Sequence, residues 1–278
     1  MSAVKKPFTV LVEGNIGCGK TTFLQHFSEL TDSVEVLKEP VEKWRNVQGH
    51  NLLQLMYEDP ARWAMPFQSY VQLTMLDHHL HRSSRPVKVS NLAQLFNNSH
   101  VISNCSQMME RSIFSARYCF VENMRRCGTI QESEFQVLDQ WFQFATAPDS
   151  GLDLGVDLII YLRTTPEKAL ERINIRNRSE ENSIPLEYLT QLHQLHEEWL
   201  VERQHLLPAQ VITLQADRGL EEMKAAYSTL YQSIASQAGL TSKLEERSRF
   251  PASLPLAVRE KVAEAVQTGI VTTTPACL

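Results

Sequence analysis

Eight residues constrain this chain more than any others: Gly14-Asn15-Ile16-Gly17-Cys18-Gly19-Lys20-Thr21. They follow an apolar run, Phe8-Thr9-Val10-Leu11-Val12, and precede Thr22-Phe23-Leu24-Gln25-His26-Phe27. The run reads as a buried strand. The stretch after the loop reads as a helix with Phe23, Phe27 and Leu30 on one face. Between them stands G-x-x-x-x-G-K-[ST], a phosphate-binding loop. Its glycines let the backbone wrap an anion closely, and the N–H groups at the helix start point at that anion. Lys20 can then reach the β- and γ-phosphates of a nucleotide, and the Thr21 hydroxyl can hold Mg²⁺.

Composition narrows the function classes. With 278 residues and a 43% hydrophobic fraction, the chain can bury a sizeable core. A net charge of −5 argues against a nucleic-acid binder held by a basic face. No apolar run approaches the ~18 residues of a membrane span, so no membrane partner is expected. The five cysteines (Cys18, Cys105, Cys119, Cys127, Cys277) are an odd number without a C-x-x-C pair. That suits free thiols in a reducing compartment. Met1 to Pro7 is too short for a signal or mitochondrial transit peptide, so the cytosol is expected, with the nucleus as the alternative.

Along the chain, Val34-Glu35-Val36-Leu37 reads as a second strand ending at Lys38-Glu39-Pro40. A carboxylate at the carboxyl end of a strand beside the loop stands where open α/β sheets bind ligands. Leu52, Leu55 and Met56 follow at helical spacing, as do Phe67, Val71 and Met75. Gln68, among apolar neighbours, faces solvent or bonds a specific partner such as a nucleobase edge. His78-His79-Leu80-His81 is expected in a solvated loop, since three histidines in four residues cannot all face one ion. Met108-Met109 reads as the end of strand 3, with Glu110 and Arg111 at its edge. A helix is predicted from Phe114 to about Arg126, and another from Ser133 to Phe144. Val156 to Leu162 has the near-continuous apolar character of a buried parallel strand. Thr165-Pro166 opens a helix ending in Arg172, Arg176 and Arg178. Such arginines, in a chain with a phosphate loop, fit a lid over a transferring phosphoryl group. Pro185 begins a long helix, Gln210 to Leu214 is strand 5, and Leu220 to Ile234 is the last helix. Strands alternating with helices predict an α/β fold: a three-layer P-loop kinase fold, its five-stranded parallel sheet covered by helices on both faces, with a short arginine-rich lid. One domain is expected over 1–239, with a poorly structured tail over 240–278.

Several segments resemble the deoxyribonucleoside kinases, most of all the multisubstrate insect enzyme and mitochondrial thymidine kinase. They are Glu13 to Thr22, Glu39-Pro40-Val41-Glu42-Lys43-Trp44, Gln68 to Leu76, Glu110 to Tyr118, and Pro185-Leu186-Glu187-Tyr188-Leu189. The likeness covers about residues 7 to 235. It implies ATP-dependent phosphorylation of the 5′-OH of deoxyribonucleosides, with pyrimidines preferred, by a homodimer using ATP and Mg²⁺. It implies Glu39 as general base, with Arg111 and Lys20 as the other catalytic residues. ATP would be held by Gly14, Asn15, Ile16, Gly17, Cys18, Gly19, Lys20, Thr21 and Thr22, and by Arg172, Arg176 and Arg178 of the lid. Mg²⁺ would be held by Thr21 and Glu110. Gln68 would pair with the base edge, flanked by Phe67, Trp44 and Phe120. Leu53 would border the nucleoside, and Tyr57 and Glu181 would hold its 3′-OH. Val71, Met75 and Ala116 would form the wall opposite the base. Asn174 departs from the pattern, where relatives often carry another lid arginine, and so weakens the lid clamp.

Against that pattern the stretch before Glu110 is too long. Val89 to Gln107 is rich in Asn and Ser, and its removal joins Val87-Lys88 to Met108-Met109 in a family-like strand 3. Val89-Ser90 can be encoded by a splice-donor sequence and Gln107 by a splice-acceptor end. The segment is therefore expected to be an atypical insert, from a retained intron, alternative splicing or a gene-model artefact. Two other functions stand beside the deoxynucleoside kinase: a nucleoside monophosphate kinase and a non-catalytic P-loop nucleotide-binding protein. The first needs a basic site for an acceptor phosphate that region 44–76 does not supply. A GTPase switch would carry Asn-Lys-x-Asp, which is absent.

Overall fold

The computed structural model describes residues 8–30, 34–81, 106–178, 181, 184–237 and 271–274. Its centre is β1 (Phe8–Glu13), hydrogen-bonded in parallel to β3 (Ser106–Glu110) and β4 (Leu158–Arg163). β2 (Val34–Leu37) extends the sheet beyond β3, and β5 (Gln210–Gln215) beyond β4. Alternation along these strands divides the core. Leu11, Met109, Ile159 and Val211 face one side, and Val10, Val12, Met108, Ile160 and Leu214 face the other. Both sides are apolar because helices cover both, as a parallel sheet requires.

The first side is covered by α4 (Pro60–Leu80), by the segment Ile113 to Arg126, by α7 (Glu132–Thr146) and by α9 (Leu186–Leu200). The other is covered by α1 (Lys20–Leu30) and α10 (Leu220–Gln237). α1 buries Phe23, Leu24 and Phe27, and Phe23 meets Tyr227 of α10 edge-on at 4.8 Å. Two short helices, α2 (Val41–Arg45) and α3 (Leu52–Glu58), border the carboxyl end of β2. α8 (Pro166–Arg176) starts as expected, Thr165 Oγ1 accepting from Lys168 N at 3.4 Å and Pro166 filling the first turn.

Four expectations change. The sheet has six strands, because β6 (Val271–Thr274) pairs antiparallel with β5. The Val-Thr-Thr-Thr run is β-branched, and it pairs with backbone groups that would otherwise stand open on an edge. The poorly structured tail thus contains a strand, while 240–270 and 275–278 lie outside the described residues. The histidines at 78 and 79 are not in a loop. α4 continues to Leu80 and carries His79 into the core, where its Nε2 lies 3.4 Å from the Ile113 N–H and its ring meets Phe114 edge-on. Burial lowers its pKa to about 3, so it packs as a neutral ring. The helix predicted from Phe114 is α5 (Ile113–Ser115), a π-helical segment (Ala116–Val121) and α6 (Glu122–Arg126). Finally, β3 begins at Ser106, so the last two residues of the 89–107 insert are strand rungs. Ser106 and Gln107 pair with Phe8 and Thr9. The rest of the insert, up to residue 105, lies outside the described residues. Among the described residues no helix is long and apolar enough to cross a membrane.

Candidate active site

The phosphate loop leaves β1 at Gly14, whose φ of +140° suits glycine. A Cβ there would lie 2.7 Å from the Leu162 carbonyl oxygen. Gly17, at φ +77°, is tighter still, since a Cβ would meet the Ala169 carbonyl oxygen at 2.5 Å. The loop can therefore lie against β4 and α8 only with glycine at both positions. Lys20 is buried, and its Nζ donates to the carbonyl oxygens of Gly14 at 3.1 Å and Asn15 at 2.8 Å. Asn15 donates from Nδ2 to the Leu189 carbonyl and accepts from Ile16 N–H. Gly14 and Asn15 thus stand behind the loop and hold Lys20. Gly17 to Thr22 line a cleft of about 690 Å³ beside it.

A second cleft opens on the other side of Lys20 and Thr21. It is lined by every residue the sequence predicts for the nucleoside, from Glu39 on the β2 edge to Glu181 beyond α8. At its inner end Arg111 Nε lies 2.8 Å from Glu39 Oε1, an ion pair whose N–H is not aligned as a hydrogen bond. Arg111 sits at φ +65°, its guanidinium 4.6 Å above the Phe120 ring. Burial raises the Glu39 pKa, Arg111 opposes that, and Glu110 adds to it. Thr21 Oγ1 donates to Glu110 Oε1 at 2.9 Å where the two clefts meet.

Elsewhere on the lining Gln68 is buried, and its Oε1 has no partner. A buried amide oxygen left open in a cleft accepts from a water or from a ligand. Trp44 and Phe67 flank it edge-on at 5.7 Å, and Trp44 Nε1 is held by Thr74 Oγ1 at 2.9 Å. Val71, Met75 and Ala116 are buried on the same lining.

The lid arginines divide. Arg172 donates to the carbonyls of Cys18, Ala216 and Arg218 at 3.3, 2.7 and 3.2 Å, joining the loop to the chain after β5. Arg176 and Arg178 both turn to Glu181, Arg176 Nε at 3.1 Å and Arg178 Nη1 at 3.5 Å. In this conformation they neutralise a residue predicted for the 3′-OH.

Sequence reasoning gave no role to four residues. Tyr188 lines the second cleft from the first turn of α9, and burial pushes its pKa well up. Arg218 and Gly219 line the phosphate cleft. The signal for Arg218 and Gly219 was the rule that ligands bind beyond the carboxyl ends of the strands, which applies to β5 as much as to β1. Glu13 was read only as part of a motif. It is fully buried at the end of β1, and burial raises its pKa to about 7 against the pull of Ser112 and Arg111.

A family model described as deoxynucleoside kinase matches residues 10–238. Human mitochondrial thymidine kinase 2 is 49% identical over 221 residues, which are 79% of this chain and 74% of that protein. Deoxycytidine kinase of Mus musculus is 35% identical over 246 residues, 81% of this chain and 88% of that protein. Deoxycytidine kinase 1 of Xenopus laevis is 33% identical over the same span.

Proposed function

The chain belongs to the deoxynucleoside kinase family, and we propose that it transfers the γ-phosphoryl of ATP to the 5′-OH of pyrimidine deoxyribonucleosides before purine ones. That it is a nucleoside-phosphorylating kinase, with ATP as donor, follows from the family. The substrate order and the residue roles are our reading. The observation that carries them is the Glu39–Arg111 pair, 2.8 Å apart, in a cleft that also contains Lys20 and the open Gln68 amide.

Glu39 takes the proton from the 5′-OH. Its burial favours proton uptake by raising its pKa, and the Arg111 guanidinium opposes that rise. Arg111 and Lys20 offset charge on the transferring group, and Arg172 joins the phosphate loop to the donor side. Arg176 and Arg178 turn from Glu181 to the phosphates when nucleotide binds, freeing Glu181 to hold the 3′-OH beside Tyr57. Thr21 and Glu110 supply adjoining oxygens for Mg²⁺, an ion that takes few protein ligands and keeps its waters. When bound, Mg²⁺ neutralises phosphate charge. Gln68 offers a donor and an acceptor side by side, as a pyrimidine edge requires. The buried side chains of Val71 and Met75 limit the depth available to a purine.

The test is steady-state phosphorylation of the four natural deoxynucleosides by the wild type and Glu39→Gln. We expect thymidine and deoxycytidine to have the highest kcat/KM. We expect Glu39→Gln to lose about 10²- to 10⁴-fold in kcat with KM little changed. A variant with a tenth or more of the wild-type kcat would sink the assignment of Glu39, and purine preference would sink the substrate order. The same assay on a chain lacking 89–107 tests that insert, which we propose is dispensable for turnover. The exposed side chains of Val137, Trp141 and Phe144 on α7 support a homodimer. Free Cys18, Cys119 and Cys127 support a reducing compartment, for which we propose the cytosol. Imaging of the tagged chain distinguishes that from the mitochondrion in which the human relative is named.

A further inference from the structure

Glu13 lines neither cleft, yet it ends the central strand directly before the phosphate loop. Its Oε1 accepts from Ser112 Oγ at 2.5 Å, and its Oε2 has no partner. A carboxyl group with no solvent exposure and one open oxygen is costly to keep. The residue joined to Ser112 is Arg111, the cation that meets Glu39.

The backbone at that point is unusual. Arg111 adopts a left-handed conformation, uncommon for a residue with a Cβ and tolerated where surrounding contacts enforce it. Those contacts can be named. Arg111 N–H donates to the Val12 carbonyl at 3.1 Å, pinning the turn to β1. Ser112 Oγ accepts from Ser115 N–H at 3.2 Å, and Ser115 Oγ accepts from Ser112 N–H at 3.1 Å, fixing the helix that follows. Glu13 holds the Ser112 hydroxyl from below. Arg111 Nη1 reaches the Gly14 carbonyl at 3.4 Å, the same oxygen that Lys20 Nζ uses. Gly14, directly after Glu13, is therefore tied to both cations of the site, and Val12, directly before it, to Arg111. The charged and titratable groups acting on the Glu13 carboxyl are Arg111 and Lys20, and the buried Cys119 thiol is its neighbour.

We propose that Glu13 is a positioning residue for phosphoryl transfer. Through Ser112 Oγ it holds the left-handed turn that aims Arg111 at Glu39 and the acceptor hydroxyl. It touches no substrate, so its removal should disturb the transition state more than binding. This rests on Arg111 having the catalytic role given to it above.

The experiment is steady-state kinetics with ATP and thymidine on Glu13→Ala, Glu13→Gln, Ser112→Ala, Ser112→Thr, Arg111→Ala and the Glu13→Ala/Arg111→Ala double variant. An error of about 1 Å in such an aim costs on the order of 10²-fold. We therefore expect Glu13→Ala and Ser112→Ala to lose about 30- to 100-fold in kcat, with both KM values within about threefold. Glu13→Gln keeps an acceptor for Ser112, and Ser112→Thr keeps the hydroxyl, so both should return to within about fivefold of wild type. On the Arg111→Ala background, Glu13→Ala should remove nothing further, because two residues acting as one unit are not additive. Wild-type kcat in Glu13→Ala overturns the proposal. So does a loss expressed in the KM for ATP, which would mean a role in the phosphate loop alone, or an additive loss in the double variant. If Glu13→Ala does not fold, the Ser112 pair decides, and Ser112→Ala at wild-type kcat overturns it. Arg111→Ala with undiminished kcat would overturn the assignment of Arg111 and this proposal with it. An inactive Arg111→Ala beside a fully active Glu13→Ala would overturn this proposal alone.

Discussion

Glu13 and Glu39 show what burial does to two carboxyl groups in one site. Both are pushed toward the neutral form, and both are opposed by Arg111. For Glu13 the pKa rises from 4.5 to about 7. The sign of the stability effect follows. A raised folded-state pKa means that the folded chain holds a proton the unfolded chain releases. The contribution is fully present below about pH 4.5 and is lost as pH rises through about 7. Glu13→Gln has no such proton to lose. Its thermal stability should match the wild type near pH 5 and exceed it at pH 8, by up to about 3 kcal/mol in chemical denaturation. No difference between pH 5 and pH 8 would mean that Glu13 is not desolvated in solution. A residue that costs stability and aims a catalytic cation fits the general exchange of stability for activity at functional sites.

α4 delivers side chains in both directions. Phe67, Gln68, Val71 and Met75 line the cleft that holds Glu39 and Arg111, while His79, near its end, enters the core against Ile113. Pro66 lies inside this helix on its exposed side, and Gln68, two residues on, is buried on the other. The helical stripe of Phe67, Val71 and Met75 was legible in sequence because 3.6-residue periodicity needs no tertiary information. His79 was not, because polar composition hides a buried ring whose acceptor is satisfied by a distant N–H. His79 and His196 of α9 both have pKa values lowered to about 3 by burial. Their neutral forms contribute stability present above about pH 6.5 and lost as pH falls toward 3. Each should add about 1.4 kcal/mol per pH unit to the acid slope. His79→Gln keeps an acceptor for Ile113 and cannot charge. Urea denaturation between pH 6 and pH 4 should therefore show a slope shallower by about that amount. An unchanged slope would place the His79 ring in contact with water.

Across the whole molecule, the apolar side chains of α7 divide between core and surface. Phe135, Leu138 and Phe142 are buried, whereas Val137, Trp141 and Phe144 are 44%, 62% and 63% exposed. The exposed three stand four and three residues apart, on one face of the helix. Apolar side chains grouped so on a surface mark a contact with another chain, and we expect that chain to be a second copy. Light scattering on the eluting protein should give a dimer for the wild type and a monomer for Trp141→Glu/Phe144→Glu. Both forms should keep their KM values, since neither residue lines a cleft. A monomeric wild type would sink the expectation.

The family and twelve residues of the cleft around Gln68 came from resemblance to known kinases; the phosphate loop and the five parallel strands were determined by the sequence alone. Each rests on local rules: period-2 and period-3.6 burial, glycine where a Cβ would meet backbone, and motif residues at fixed spacing. Tertiary structure decided what depends on neighbours distant in the chain. It joined Glu13 to Ser112 and paired Arg111 with Glu39. It turned Arg176 and Arg178 to Glu181, buried His79, began β3 inside the supposed insert and added β6 to the open edge of β5. Burial and unpaired backbone groups set these outcomes, and neither is a property of a residue read in isolation.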